Sequence, residues 1–204
     1  MKRFGLMAVV ALAACADAGS EAQIETVAEA VRANPDFPNI VRRMKDYETV
    51  EQPFVPTKKI LGSAENASGI LFYETILAPR SPGAPPHIHD SDEEFFYVVS
   101  GSLDAMSGDK VVRLEAGDFA ALLPGTPHMF WNGSDAETKI IMAVAGGEFG
   151  QFFDTVGQEL ADARPATFAD AQPIILAHAS KHGTHIDMSL MPPEAAPYYQ
   201  PPNE

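Results

Sequence analysis

From about Ser68 to Val144 the chain is a succession of short β-forming runs, each cut off by turn residues before a helix can be built. The runs cover residues 68–77, 94–100, 103–106, 111–114, 119–122, 127–131 and 138–144. Between them stand Gly101, Gly108-Asp109, Ala116-Gly117-Asp118, Pro124-Gly125 and Gly133-Ser134-Asp135. Many short strands at this spacing imply an antiparallel sandwich or barrel, so the expected class is mainly β. With 204 residues and 46% hydrophobic content the chain can bury one substantial core.

The same stretch carries a set of metal-type ligands. His87 and His89 are separated by one residue, so on a strand they point to the same side. Glu94 follows on the next run and His128 on a later one. A mixed nitrogen and oxygen set of this kind suits one divalent Fe, Mn, Ni, Cu or Zn rather than Ca or Mg. Alternation extends the argument. If Glu94 points inward, so do Phe96 and Val98, while Phe95 and Tyr97 point out; if His128 points inward, so do Phe130 and Asn132, while Met129 and Trp131 point out. The inner lining is then apolar around a small polar cluster, the composition of a small-molecule pocket.

These residues resemble the two motifs of the cupin superfamily. The first pairs His-x-His with Glu, then six residues and Gly; here it falls on His87, His89, Glu94 and Gly101, and the interval to Gly101 selects Glu94 over Glu93. The second falls on Gly117, Gly125, His128 and Asn132, with Leu123 in the slot of the motif's proline and Pro124 one later. Ser81 occupies the leading glycine slot of the first motif, with Gly83 two residues on. The resemblance implies a cupin double-stranded β-helix (jelly-roll) barrel flanked by N- and C-terminal helices. It also implies one divalent metal held by His87, His89, Glu94 and His128. The segment 145–156 is similar to that following the barrel in single-domain cupins like quercetin 2,3-dioxygenase. In those enzymes the metal binds an enolic or phenolic oxygen and the ligand glutamate takes its proton, which makes Glu94 the expected base.

At the N-terminus, Lys2 and Arg3 precede an apolar run too short to span a bilayer, and Leu12-Ala13-Ala14-Cys15 resembles the lipobox of a bacterial lipoprotein signal. Cys15, the only cysteine, would then be lipidated after removal of residues 1–14. Plain secretion with cleavage near Ala16-Asp17-Ala18 is the alternative; either way the protein is expected on the periplasmic side. The expected divisions are therefore signal peptide 1–14, tether and short helices 15–54, barrel 55–147, helical extension 148–190 and a Pro-rich tail 191–204. Within the second, Ile24, Val27, Ala28 and Val31 recur at helical spacing, and another turn is expected through Ile40, Val41 and Met44.

Beyond the barrel, helices are expected through about Leu160 and over 171–182, the second marked at its start by Pro173. Phe149, Phe152 and Phe153 read as ordinary packing or as a lid over the barrel mouth. His178 and His182, at i and i+4, read as a solvated helix face without a third ligand. The five prolines after Met191 predict an extended arm or a disordered tail. Asn66-Ala67-Ser68 and Asn132-Gly133-Ser134 match glycosylation acceptors, a modification out of keeping with a bacterial export signal.

Lys+Arg 14 against Asp+Glu 28, net charge -14, with no basic run, argues against nucleic-acid binding. Two readings of function stand. One is an exported metal-dependent enzyme acting on a small molecule, quercetinase-like in its sharpest form, among cupins that also include isomerases, lyases and other oxygenases. The other is a lipid-tethered module that binds a small molecule or metal without turnover. Expected partners are a small-molecule substrate and the membrane reached through Cys15; the assembly state, a homodimer included, is open.

Overall fold

The computed structural model of the chain describes residues 39–50, 56–146, 148–165 and 168–199. The expected signal peptide, Cys15 and the helix through 24–31 lie outside them. Twelve strands occur among the described residues: β1 Glu48–Val50, β2 Thr57–Leu61, β3 Leu71–Leu77, β4 Ser81–Pro82, β5 His87–His89, β6 Glu93–Ser100, β7 Ser102–Ser107, β8 Lys110–Glu115, β9 Phe119–Leu122, β10 His128–Asn132, β11 Thr138–Ala145 and β12 Thr184–Ile186. Two helices, α1 Glu148–Ala163 and α2 Phe168–Lys181, separate β11 from β12.

The strands form two antiparallel sheets. One runs β1-β2-β3-β11-β6-β9; the other runs β12-β5-β10-β7-β8, with β4 paired to β10. Strict alternation of buried and half-buried residues along β11 aims Ile140, Met142 and Val144 at the core. There they join Leu71, Tyr73, Phe96 and Val98 from the first sheet and Leu103, Ala105 and Phe130 from the second. This is the expected mainly β double-stranded β-helix. Its tight turns depend on local backbone freedom, most plainly at Gly101, where φ is +75° and a Cβ would lie 2.5 Å from the Glu137 carbonyl.

The expectations for the flanks change in four places. A strand, β1, lies within the region read as tether and helices, and only a 3-10 turn, Met44–Asp46, is found where a helical stretch was expected through Ile40 and Met44. The extension is not wholly helical, because β12 returns to the barrel and pairs with β5; an edge strand with unpaired backbone groups is completed by any short run that can reach it. Pro173 lies inside α2 rather than at its start. Finally, residues 191–199 are turned and packed rather than extended: Ala195 is buried and, with Met191, Tyr198 and Tyr199, covers Met106, Met129 and Trp131. Trp131 therefore points away from the barrel interior and is still 2% exposed. No described helix is long and apolar enough to cross a membrane.

Candidate metal centre

His87 and His89 come from β5 and His128 from β10, which are paired with His87 opposite His128. Glu94 comes from the other sheet, at the start of β6, flanked by Val144 and Leu122. Three imidazoles on one wall thus meet a carboxylate on the facing wall. Their donor atoms all lie within 4.8 Å of one another, and all four residues are buried. Glu94 Oε2 is 3.0 Å from His128 Nε2, 3.6 Å from His89 Nε2 and 3.7 Å from His87 Nε2.

The outer nitrogens decide which lone pairs face inward. His87 Nδ1 is 2.7 Å from the Pro85 carbonyl and His128 Nδ1 is 2.8 Å from the Thr126 carbonyl. A carbonyl only accepts, so both Nδ1 atoms carry a proton and donate it. His89 Nδ1 meets Thr184 Oγ1 at 3.0 Å, and its Nε2 has no hydrogen-bond partner among the described residues. Neutral imidazoles in this arrangement turn bare Nε2 lone pairs toward a carboxylate, an electrostatic conflict that a divalent cation between them removes. This is the usual outer support of a metal-binding histidine, and the donor set fits the expected transition metal.

The protonation tendencies agree with a site built for positive charge. Burial pushes the Glu94 carboxyl up, but the neighbouring imidazoles, His128 foremost and then His87 and His89, outweigh it and hold Glu94 well below the ordinary carboxylate range. Burial pushes His87 down. It also opposes charge on His128, yet the Glu94 contact prevails and raises that imidazole.

A cavity of about 140 Å³ opens beside the centre. His87 and Glu94 face it, together with Phe130, Met142, Phe149 and Phe153. Of the residues expected to line a pocket, only Phe130 does so. Phe96 and Val98 are fully buried in the core, Phe96 packing against the Phe130 ring at 4.9 Å. Asn132 does share the inward side of β10, but at its far end, where its amide donates to the Ala78 and Ala136 carbonyls at 2.8 and 2.7 Å. Its Oδ1 accepts from the Ser134 N–H and hydroxyl. Asn132 is thus a loop clamp, and its complete burial leaves no room for a glycan.

Helix α1 gives the three phenylalanines both of their expected roles. Phe149 and Phe153 belong to the main core, yet with Phe152 they also wall the cavity. Phe149 meets His89 edge-on, ring centroids 5.0 Å apart. Asp92, on the turn between His89 and Glu94, accepts from the Phe149 N–H at 3.3 Å and so ties the start of α1 to the ligand loop. His178, His182 and His185 do not converge: they lie beside Glu159, Glu148 and Asp90 respectively, and His182 is buried rather than solvated. Thr184 escaped the sequence reading; the only hint was a short run with two β-branched residues, Thr-His-Ile, after Gly183.

Residues 73–144 match the family model described as Cupin domain. Structures similar to this chain include a sugar phosphate isomerase of the cupin superfamily from Silicibacter pomeroyi (19% identity, 52% of this chain and 75% of that one, TM-score 0.46). A predicted oxalate decarboxylase from Thermotoga maritima is similar at 20% identity, 52% and 99% coverage and TM-score 0.47. A Cupin 2 conserved barrel domain protein from Salinispora arenicola is similar at 15% identity, 57% and 96% coverage and TM-score 0.44. No curated protein matches the chain.

Proposed function

Taking the barrel as a cupin domain, we propose that the chain is a metal-dependent oxidoreductase that uses dioxygen to cleave an enolic or phenolic small molecule. The observation that carries this reading is the meeting of His87, His89, Glu94 and His128 at the floor of an apolar cavity, with Glu94 itself facing that cavity. A redox-active divalent metal held there would bind the substrate oxygen and bring it into electronic contact with O₂. Glu94 takes the proton of the substrate hydroxyl, holds it, and returns it to a product oxygen. Both atoms of O₂ enter the products as a carbon–carbon bond breaks, so O₂ is the oxidant and no further reductant is required. Phe130 and Phe149 orient the ring and keep water from the reacting atoms.

We further propose that the protein works outside the cytoplasm, tethered through Cys15. The support is the lipobox-like Leu12-Ala13-Ala14-Cys15. Cys15→Ser should release the protein from membranes, and unchanged membrane association would count against the tether.

The catalytic reading is tested by metal analysis of protein purified from its own compartment, followed by oxygen uptake with catechols, flavonols and β-diketones. The expected result is bound Fe, Mn, Ni or Cu and consumption of O₂ that Glu94→Gln abolishes. A zinc-only protein would exclude the dioxygenase. Ligand binding with no substrate consuming O₂ would return the non-catalytic binding module.

A further inference from the structure

The cavity is made by two parts of the chain that sequence comparison treats differently. Its floor and near wall, His87, Glu94, Phe130 and Met142, lie within the matched residues 73–144. Its roof comes from beyond them: Phe149, Phe152, Phe153, Val156 and Leu160 on α1, and Ile175 on α2. The C-terminal extension therefore sets the height of the site.

Two features of this space restrict what enters. The first is volume. An apolar cavity of about 150 Å³ is known to hold benzene, and this one is about 140 Å³, room for one ring and not for three. The second is charge. Among the described residues no Lys or Arg lines the cavity. Apart from His87 and Glu94 its polar lining is threonine, and those hydroxyls are engaged: Thr57 and Thr75 face each other at 3.3 Å and Thr184 meets His89. Held away from the metal, a phosphate or carboxylate on the ligand would be buried without a compensating cation, which costs several kcal/mol.

Building on the proposed function, we infer that the substrate is a single-ring or comparably small enol or phenol bearing no phosphate or carboxylate beyond its metal-facing oxygens, and that the α1–α2 roof, through Phe152 and Ile175, sets the limit of size. Flavonols are excluded by size, and rings that carry an anionic group away from the metal by charge.

Calorimetric titration of the full chain, metal-free and zinc-loaded, with catechol, 3,4-dihydroxybenzoate and a three-ring flavonol tests this without relying on turnover. Zinc-loaded protein should bind catechol at least tenfold more tightly than either other probe. Phe152→Ala, and independently Ile175→Ala, should raise the affinity for flavonol relative to catechol by about tenfold. Equal or tighter binding of 3,4-dihydroxybenzoate or flavonol by the wild type would overturn the inference. So would zinc binding with no catechol bound, an outcome that leaves the metal-centre reading intact. Catechol bound equally with and without zinc, at the same preference over the other probes, would keep the size and charge limit and remove the metal from substrate recognition.

Discussion

Thr184 stands opposite His89 in the register between β12 and β5, and its hydroxyl lies 3.0 Å from His89 Nδ1. A residue close to the C-terminus of the described chain thus orients a ligand of the metal centre, across two intervening helices. Loss of such an outer partner costs about tenfold to a hundredfold in metal affinity. Thr184→Val should weaken zinc or manganese binding by that amount in a chelator competition, while Thr184→Ser retains it. Wild-type affinity in the valine variant would remove Thr184 from the centre.

Metal loading should also be visible as stability. A ligand present at about 100 times its Kd stabilises the folded state by roughly 2.7 kcal/mol, which for a domain of this size raises Tm by about 5–10 °C. Scanning calorimetry before and after chelation measures the shift. In Glu94→Gln the metal-dependent increment should shrink, because the carboxylate oxygen that faces all three Nε2 atoms is replaced by a neutral amide.

Asn132 predicts the opposite pattern. Asn132→Ala removes the fully buried amide that donates to the Ala78 and Ala136 carbonyls and should cost roughly 1–3 kcal/mol in denaturant unfolding. Metal affinity of the folded variant should stay within about twofold of wild type. A large loss of affinity at unchanged stability would instead place Asn132 in the site.

The Tyr199 hydroxyl lies 2.8 Å from the Ala84 carbonyl and 3.0 Å from the Phe130 carbonyl, and it accepts from the Gly83 N–H. Burial pushes its phenol up, so it stays protonated and able to donate. Beneath this clasp, a Cβ on Gly83 would come within 2.4 Å of the Phe130 ring, so the two strands approach as closely as glycine permits. Tyr199→Phe should destabilise by about 1–3 kcal/mol, read as a shifted unfolding midpoint. An unchanged midpoint would show that the segment contributes through apolar packing alone.

Acid should weaken a contact remote from the metal. The Arg42 guanidinium, helped by the Gly62 N–H, lowers the Glu65 carboxyl to about 2 from an ordinary 4.5. A depressed carboxylate pKa contributes stability above the unfolded value and loses it as pH falls through the folded one. Wild type should therefore exceed Glu65→Gln in unfolding free energy at pH 6, by no more than about 1 kcal/mol for so exposed a pair. The gap should close between pH 4.5 and pH 2, and a gap independent of pH would refute the assignment.

Much of the fold and ligand set was legible in the chain because both rest on short-range rules. Side chains alternate along a strand, so His87 and His89 share a face and Phe96 and Val98 share one with Glu94. Glycines at 101, 117 and 125 take positive φ, and they punctuate the strands where the spacing placed the turns. Alternation specifies a face, however, and not a depth along it. That is why Asn132 and Val98, correctly inward, do not line the cavity.

The sequence by itself determined a mainly β, turn-punctuated sandwich or barrel, because period-two patterning and turn chemistry act over a few residues, and the likeness of its two motifs to those of the cupins implied the four ligands. Only the tertiary structure decided that β12 closes the sheet beside His89, that residues 191–199 bury Trp131, and that the roof of α1 and α2 limits the cavity. Each of these depends on contacts between segments far apart in the chain. Edge pairing and apolar burial are non-directional in sequence: a three-residue strand or a proline-rich turn shows its role only once the surface it completes has formed.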